Sequence, residues 1–396
     1  MTQPDVTVVI GAYEAMPYLV KCLESVEHQT LDPARIEVIA VDDGSTDGTG
    51  EYLEKFAERA PMAVTVIGQP NSGGPSGPRN VGLGKARGRY VFFLDADDHL
   101  GPEALERMVA MADEHGTDVV LGKVVGVNRN APKSMWGKNL PRTDVFSSNI
   151  KFTLSAQKLF RRDLLTRHGM HFDESLKTGE DALFTMEAYL RADGVSVIAD
   201  YDCYYLVGRD DGKHATKSGG YTLRFDSARA LMGLIADLVP PGPRRDALMI
   251  RPLLVTLIPQ FGPGYLKQSE KVRRHKLDLA EPLLAAHWHP GVAGRLKVHE
   301  RLRLHLVAQG RGDLLVDVIE FIKAKKEPEA ILEDRGRKAY LAYPHFRDPA
   351  AGVPDSCYAP TSREAAAIEG FRPRKRRLPR LRRLARRVLG PRCATA

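Results

Sequence analysis

Tyr90-Val91-Phe92-Phe93-Leu94-Asp95-Ala96-Asp97-Asp98 decides how this chain is read, because an apolar strand runs straight into three acids. A continuous apolar run of this length suits a strand buried on both faces of a sheet. A second run of the same design lies upstream, Val38-Ile39-Ala40-Val41-Asp42-Asp43, and leads into the turn Gly44-Ser45-Thr46-Asp47-Gly48. In open α/β sheets, ligands sit beyond the carboxyl ends of the strands, which is where both acid clusters fall. Asp42 can accept hydrogen bonds there from a nucleobase or ribose. Asp95 and Asp97 flank one alanine, so two carboxylates emerge close enough to share Mg²⁺ or Mn²⁺ held together with substrate phosphates. A plainer reading stands beside each: Asp43 and Asp47 suit turn and N-cap positions, and acidic turns after strands are common. Two acid-terminated strands in one sheet are far harder to obtain by chance.

Working outward, five apolar runs alternate with helix-like segments through the first 127 residues. The strands are expected at Val6 to Ile10, Ile36 to Val41, Val64 to Ile67, Tyr90 to Leu94 and Val119 to Val125. The helices between them are expected at Tyr18 to Val26, Thr49 to Glu58, Pro78 to Ala86 and Pro102 to Glu114. That alternation predicts a mainly parallel sheet with crossover helices. A further helix is expected over Asp181 to Arg191 and a strand over Val195 to Tyr205. From Tyr221 the composition changes to Leu and Arg at helical spacing, broken at Pro240 to Pro243. The expected organisation is an α/β half over 1–220, a mostly helical region over 221–346, a Pro/Ala/Gly-rich linker over 347–370 and an Arg-rich tail over 371–396.

A third constellation, Asn71-Ser72-Gly73-Gly74-Pro75-Ser76-Gly77-Pro78-Arg79-Asn80, follows the third strand and opens a helix. Glycines let backbone N–H groups approach an anion, a helix N-terminus favours negative charge, and Arg79 adds a fixed cation. It is also readable as a proline-rich turn with Pro78 at a first helical position. Taken in order, V-D-D-G-S-T-D, this Gly-rich segment, F-L-D-A-D-D and Thr178-Gly179-Glu180-Asp181 resemble the family 2 glycosyltransferases of the GT-A fold. The Gly-rich segment is similar to the subgroup that glycosylates wall teichoic acid and related polyol phosphates. The resemblance covers Asp5 to Gly220.

What it implies is a nucleotide-diphospho-sugar transferase fold and transfer of a sugar, N-acetylglucosamine or glucose from a UDP donor, with inversion. The acceptor would be a hydroxyl of a cell-surface polymer or its lipid-linked precursor. Ala12, Tyr13, Asp42, Asn71, Arg79, Asp95, Ala96 and Asp97 would bind the nucleotide sugar, Asp97 with Asp95 holding the metal. Asp181 would be the catalytic base, aided by Glu180. That role makes chemical sense, since inverting transfer needs a carboxylate to take the proton of the attacking hydroxyl. A capping box from Thr178 to Asp181 is the structural alternative. His214, in the polar loop Arg209 to Ser218, can reach the metal or diphosphate, or be a plain surface residue. His287-Trp288-His289 lacks further ligands nearby and reads as packing.

The 396 residues carry a net charge of +8. Arg372 to Arg392 contribute ten Arg and one Lys with no acid, so setting those eleven aside leaves a body at −3. Leu378, Leu381, Leu384 and Val388 line one side of a short helix in that tail. It can lie on an anionic membrane surface, meet an anionic polymer, bind nucleic acid non-specifically or simply be solvated. No specific nucleic-acid site is indicated, because no aromatics interleave the arginines. The four cysteines form no C-x-x-C pair. With no signal peptide or membrane span in view, a cytoplasmic protein is expected, peripheral on the inner membrane face if the tail binds lipid. Oligomerisation is left open. Two other functional classes compete: a metal-dependent nucleotidyltransferase, which should carry a basic Gly-rich loop after its first strand, and an inactive anionic-surface binding protein. After the first strand this chain has Gly11-Ala12-Tyr13-Glu14, with no basic residue until Lys21.

Overall fold

The computed structural model describes residues 3–131, 133, 135–209 and 220–372. His214 and all of the Arg-rich tail beyond Arg372 lie outside these described residues. The first half alternates as its apolar runs dictate: β1 (Val6–Ala12), α1 (Tyr18–Glu27), β2 (Ile36–Asp42), α2 (Thr49–Arg59), β3 (Ala63–Gly68), α3 (Ser76–Lys85) and β4 (Tyr90–Asp95). There follow β5 (His99–Leu100), α4 (Ala104–His115), β6 (Val119–Val127), β7 (Leu140–Thr143), β8 (Leu159–Arg161), α5 (Arg162–Arg167), α6 (Glu180–Arg191) and β9 (Val195–Val207).

The sheet runs β3-β2-β1-β4-β8-β6-β9-β5, with β7 added against β9. β1 to β4 are mutually parallel, as are β6 and β9, while β8 pairs antiparallel with both β4 and β6. The sheet is therefore mixed, and short β8 is the piece that joins its two parallel parts. Because helices cover both faces, the central strands are buried almost throughout. Val9, Ile39, Val91 and Phe93 face one core and Val8, Val38, Phe92 and Leu94 the other.

The Phe93 core continues into the second half of the chain, including Phe225, Leu248 and Leu302. That half comprises α7 (Tyr221–Leu238), α8 (Pro243–Pro252), α9 (Glu270–His287), α10 (Pro290–Ala293), α11 (Val298–Ala308) and α12 (Gly312–Lys323). A hairpin of β10 (Glu329–Glu333) and β11 (Lys338–Ala342) and a last turn, α13 (Ser362–Ala365), complete it. Pro252 and Pro259 cannot donate to a helical ladder, and between α8 and Phe261 the chain loosens into a π turn and a 3₁₀ turn. Residues 347–370 do not run free between bodies. Tyr358 is fully buried, packs on Phe346 at 5.0 Å, and its carbonyl accepts from Leu341 N–H at 3.0 Å. Pro, Ala and Gly set the composition of this stretch, but one aromatic residue sets its packing.

Cys22, Cys203 and Cys357 are buried free thiols. Among the described residues no helix is long and apolar enough to cross a membrane.

Candidate active site

The carboxyl ends of β1, β2 and β4 open onto one side of the sheet, and the loops after them interlock. Glu14, in the left-handed region at φ 46°, accepts from Thr46 N–H at 2.8 Å and its hydroxyl at 2.9 Å. Ala15 N–H donates to Thr49 Oγ1 and Met16 N–H to Asp47 Oδ2. These bonds fix the segment that follows Ala12 and leave Tyr13 53% exposed, one residue beyond Ala12, which pairs with Asp42 in the sheet. Asp42 accepts from Ser45 N–H at 3.2 Å. A Cβ on Gly50 would come within 2.9 Å of Asp42 Oδ2, so only glycine lets α2 approach this carboxylate.

Asp43 is committed elsewhere. It is buried and accepts from Gln69 Nε2 at 2.5 Å and from both the N–H and hydroxyl of Ser72. It thereby buckles the Gly-rich loop to the end of β2. Asn71 stays exposed and closes its own turn by accepting from Gly73 N–H. α3 begins at Ser76, two residues earlier than the proline pattern predicts.

Arg79 is the hub. Its side chain is 6% exposed and donates to Asp95 Oδ1 at 2.7 Å and to Asp181 Oδ1 at 2.6 Å, with Glu180 at 4.0 Å. Burial opposes its charge, yet Asp181 and Asp95 outweigh that penalty and hold the guanidinium above its ordinary value. The ring of Phe172 lies 5.2 Å beneath it. Asp95 is completed by Gln157 Nε2 at 2.5 Å. Asp98 is buried, bonded to the Tyr204 hydroxyl at 2.6 Å and Val207 N–H at 2.7 Å, and pushed up to about 8 by burial and by Asp95 and Asp97. Asp97 accepts no hydrogen bond from the described residues other than its own backbone and is pushed up to about 6, by burial first and Asp95 second. Arg209 comes up from β9 to donate to the Glu14 carbonyl at 3.0 Å, over the Tyr18 ring.

The base candidate stands at the start of α6. Gly179 caps this helix at φ 86°, where a side chain would also meet Ser227 at 2.7 Å. Thr178 makes no capping box: its hydroxyl accepts from Arg224 at 3.0 Å and its carbonyl from the Ser227 hydroxyl. The turn that launches Glu180 and Asp181 is thus bolted to α7, and the helical half of the chain helps to aim these carboxylates. Burial, then Asp181, pushes Glu180 up to about 7.

Beside this turn lies a cavity of about 300 Å³ bordered by Thr178, Ala182, Arg224, Ser227, Arg251 and Gln260. No acid is among its lining residues. Arg251 Nε is buried with no hydrogen-bond partner among the described residues, and burial alone lowers this group to about 10.

Asp95 and Asp181, 86 positions apart in sequence, therefore meet around one guanidinium, with Ala96 and Asp97 next to them and Tyr13 and Asp42 at the neighbouring strand ends. Asn71 is turned to solvent and touches none of them in the described hydrogen bonds. Gln157, Tyr204, Arg224 and Arg251 have no motif in the sequence to announce them. The carboxylates suit a divalent ion: Asp97 is crowded by Asp95 and half-buried, a charge that a cation would relieve. No three His, Cys, Asp or Glu side chains converge among the described residues. Mg²⁺ ordinarily needs only one or two carboxylates when substrate phosphates complete its shell.

Comparisons with known proteins agree with this geometry. Residues 7–172 match the model of glycosyl transferase family 2, and residues 223–319 match the glycosyl transferase TarS linker domain. A poly(ribitol-phosphate) beta-glucosyltransferase of Bacillus spizizenii is 42% identical over 210 residues, 53% of this chain and 33% of that protein. The poly(ribitol-phosphate) beta-N-acetylglucosaminyltransferase TarS of Staphylococcus aureus is 39% identical over 54% of this chain and 37% of its own length. The chain thus spans about a third of these curated relatives. The crystal structure of S. aureus TarS 1–349 in complex with UDP-GlcNAc superposes with a TM-score of 0.77 at 29% identity, covering 90% of this chain and 99% of that one. With its ordered acids and its mixed sheet flanked by helices, the chain carries a glycosyl transferase family 2 domain over residues 7–172, in a GT-A-like fold similar to that of TarS.

Proposed function

We propose that this protein transfers a sugar, GlcNAc or glucose, from a UDP-sugar to a hydroxyl of an anionic cell-surface polymer of the teichoic acid class or its lipid-linked precursor, with inversion. The observation that carries the reading is the Arg79 bridge, which gathers the donor-side acid Asp95 and the base candidate Asp181 within hydrogen-bond distance of one cation. In this reading Tyr13 stacks on the base and Asp42 takes its hydrogen bonds. Asn71 adds a contact to the nucleotide, and Asp95, Ala96 and Asp97 line the ribose-diphosphate. Asp97 and Asp95 hold Mg²⁺ or Mn²⁺, to which His214 is a further candidate ligand. The ion, when bound, offsets charge on the departing UDP.

Asp181 takes the proton of the acceptor hydroxyl as that oxygen bonds to the anomeric carbon. The bond from this carbon to the β-phosphate oxygen breaks, and its electron pair leaves with UDP. Glu180, pushed up to about 7 by burial and Asp181, is protonated in about half the molecules at neutrality and in that form can donate a hydrogen bond to orient the acceptor. Arg79 donates to Asp181 Oδ1 and so fixes the position of this carboxylate.

The cavity beside Thr178 supports an anionic acceptor. Two arginines border it, no acid does, and the unpartnered Nε of Arg251 is suited to a phosphodiester oxygen. The relatives' names point the same way, being poly(ribitol-phosphate) transferases. A cytoplasmic site of action, with the Arg-rich tail on an anionic membrane face, accords with a lipid-linked acceptor. The test is a panel of UDP-sugars with poly(ribitol phosphate) and divalent ion. Acceptor-dependent UDP release with attachment of the sugar supports the reading, and no nucleotide sugar bound or consumed sinks it.

A further inference from the structure

Asp98 takes no part in the chemistry just described, yet it is buried at the edge of the donor site. It is 2% exposed, and a carboxylate so placed is destabilising unless its oxygens are bonded. The turn that Asp98 closes does not need that side chain. Asp98 N–H donates to the Asp95 carbonyl at 3.0 Å, so the backbone alone closes the turn that presents Ala96 and Asp97. Nor is the carboxylate needed to join β5 to β9, since His99 and Leu100 already pair with Tyr205 and Tyr204.

Strand register gives the side chain its reason. β5 and β9 are antiparallel, and continuing their register by two residues would set Asp97 opposite Val207. Asp97 would then be a ladder residue and no longer part of an open turn. β5 instead stops at His99, and Val207 N–H donates at 2.7 Å to Asp98 Oδ1, a side chain in place of a strand. The second oxygen, Oδ2, accepts from the Tyr204 hydroxyl at 2.6 Å, and that hydroxyl accepts in turn from Asp95 N–H at 3.4 Å. Tyr204 is fully buried, its ring 6.3 Å from that of Phe92 in β4. One carboxylate thereby ties both ends of the acid turn to the last residue of β9.

The other side of that strand end is held by β6. Gly208 N–H donates to the Val127 carbonyl at 2.8 Å, and a Cβ on Gly208 would come within 2.4 Å of the Asn128 carbonyl. Gripped from both sides, β9 delivers Arg209 to the Glu14 carbonyl at 3.0 Å. The acid turn and the loop after β1 are thus two walls joined by a strut, and Asp98 is the joint.

We propose that Asp98 is a positioning residue for the donor: by clasping the Asp95–Asp98 turn to the end of β9, it holds Asp95 and Asp97 at the distance from Arg209 and the β1 loop that a bound UDP diphosphate requires. The inference rests on UDP-sugar binding at these acids, as in the proposed function. Both Asp98 oxygens are consumed within the protein, so it acts through Asp95, Asp97 and Arg209.

The test is UDP binding to the full chain by calorimetry with Mg²⁺ or Mn²⁺ present, beside steady-state kinetics with poly(ribitol phosphate). Asp98→Ala opens the clasp and should weaken UDP binding and raise donor KM about tenfold, the worth of one hydrogen bond to a charged group. Acceptor KM and kcat should stay within about threefold, because only donor binding is touched. Asp98→Asn still accepts from Val207 N–H and should recover most of the affinity. If Asp98→Ala does not fold, Tyr204→Phe removes one oxygen atom, and with it the links to Asp98 Oδ2 and Asp95 N–H. It should weaken UDP binding about threefold. A folded variant that binds UDP as wild type does overturns the proposal. So does one in which donor KM, acceptor KM and kcat worsen alike, the mark of general damage to the fold. Wild type that binds no UDP, with or without the ion, sinks the functional reading instead, and the positioning role with it.

Discussion

In the sheet half of the molecule Arg79 is buried among acids, with Asp95 at 2.7 Å and Asp181 at 2.6 Å. In the helical half Arg301 is equally buried but donates to four backbone carbonyls, those of Ala293, Leu296, Ser356 and Ala359, and forms no ion pair among the described residues. Arg303 and Lys276 likewise bond to carbonyls, of Phe261 and Gln260 among others. The consequence is opposite in sign: acids hold Arg79 above its ordinary value, whereas burial lowers Arg251, Arg301, Arg303 and Lys276. One half neutralises its cations in a network that sets protonation states. In the helical half these buried cations make no ion pair among the described residues, and one of them, Arg251, borders the cavity.

The largest effect tests the acid-rich half. Asp181→Asn should lower kcat by about 10³-fold, the scale of a lost general base, while donor binding by calorimetry stays within about twofold. Loss of donor binding to the same degree would put Asp181 on the nucleotide and not on the acceptor.

Next, Arg79→Met and Arg301→Met remove guanidinium groups of similar burial from the two halves. Arg79→Met leaves carboxylates unpaired, so it should cost about 3 kcal/mol or more at pH 8. The cost should shrink at pH 4, where Glu180, which faces Arg79 and is pushed up to about 7, is protonated and needs no counter-charge. Arg301→Met orphans carbonyls, which do not titrate, so its cost should be alike at both pH values. Urea unfolding at the two pH values reads both, and a pH-independent Arg79→Met would break the contrast.

Arg251→Ala should raise acceptor KM by about tenfold, the worth of one charge-assisted hydrogen bond, with donor KM unchanged. Steady-state kinetics with acceptor chains of defined length measure this.

The smallest expected effect is on stability. Glu180 has a folded value raised to about 7 from an ordinary 4.5, so ionising it costs stability that the fold retains below pH 4.5 and loses as pH rises through 7. Glu180→Gln should therefore raise Tm by a few degrees at pH 8 and leave it unchanged at pH 4, by calorimetry.

What could be read in the sequence follows from how local the cause is. The strands at β1, β2 and β4 announce themselves because burial on both faces demands unbroken apolar runs, and the acids at their ends stand out for the same reason. The start of α6 is readable too, although Gly179, and not Thr178, caps it. β8 is three residues long and antiparallel, defined by its neighbours rather than by its own composition. Gln157 and Tyr204 belong to no motif, since their roles come from long-range contacts with Asp95 and Asp98. Asp43 reads as a ligand-binding acid beside Asp42, yet its oxygens are consumed by Gln69 and Ser72. The Tyr358 contact that packs 347–370 is equally invisible in a stretch dominated by Pro, Ala and Gly.

The central claim is sugar transfer from a UDP-sugar to a polyol-phosphate polymer with Asp181 as base. It is tested most directly by incubating wild type and Asp181→Asn with radiolabelled UDP-GlcNAc or UDP-glucose, poly(ribitol phosphate) and Mg²⁺ or Mn²⁺, and determining the anomeric configuration of any product. The account predicts label on the polymer with inverted configuration for wild type and none for Asp181→Asn. A retained configuration, or equal labelling by both proteins, would contradict it.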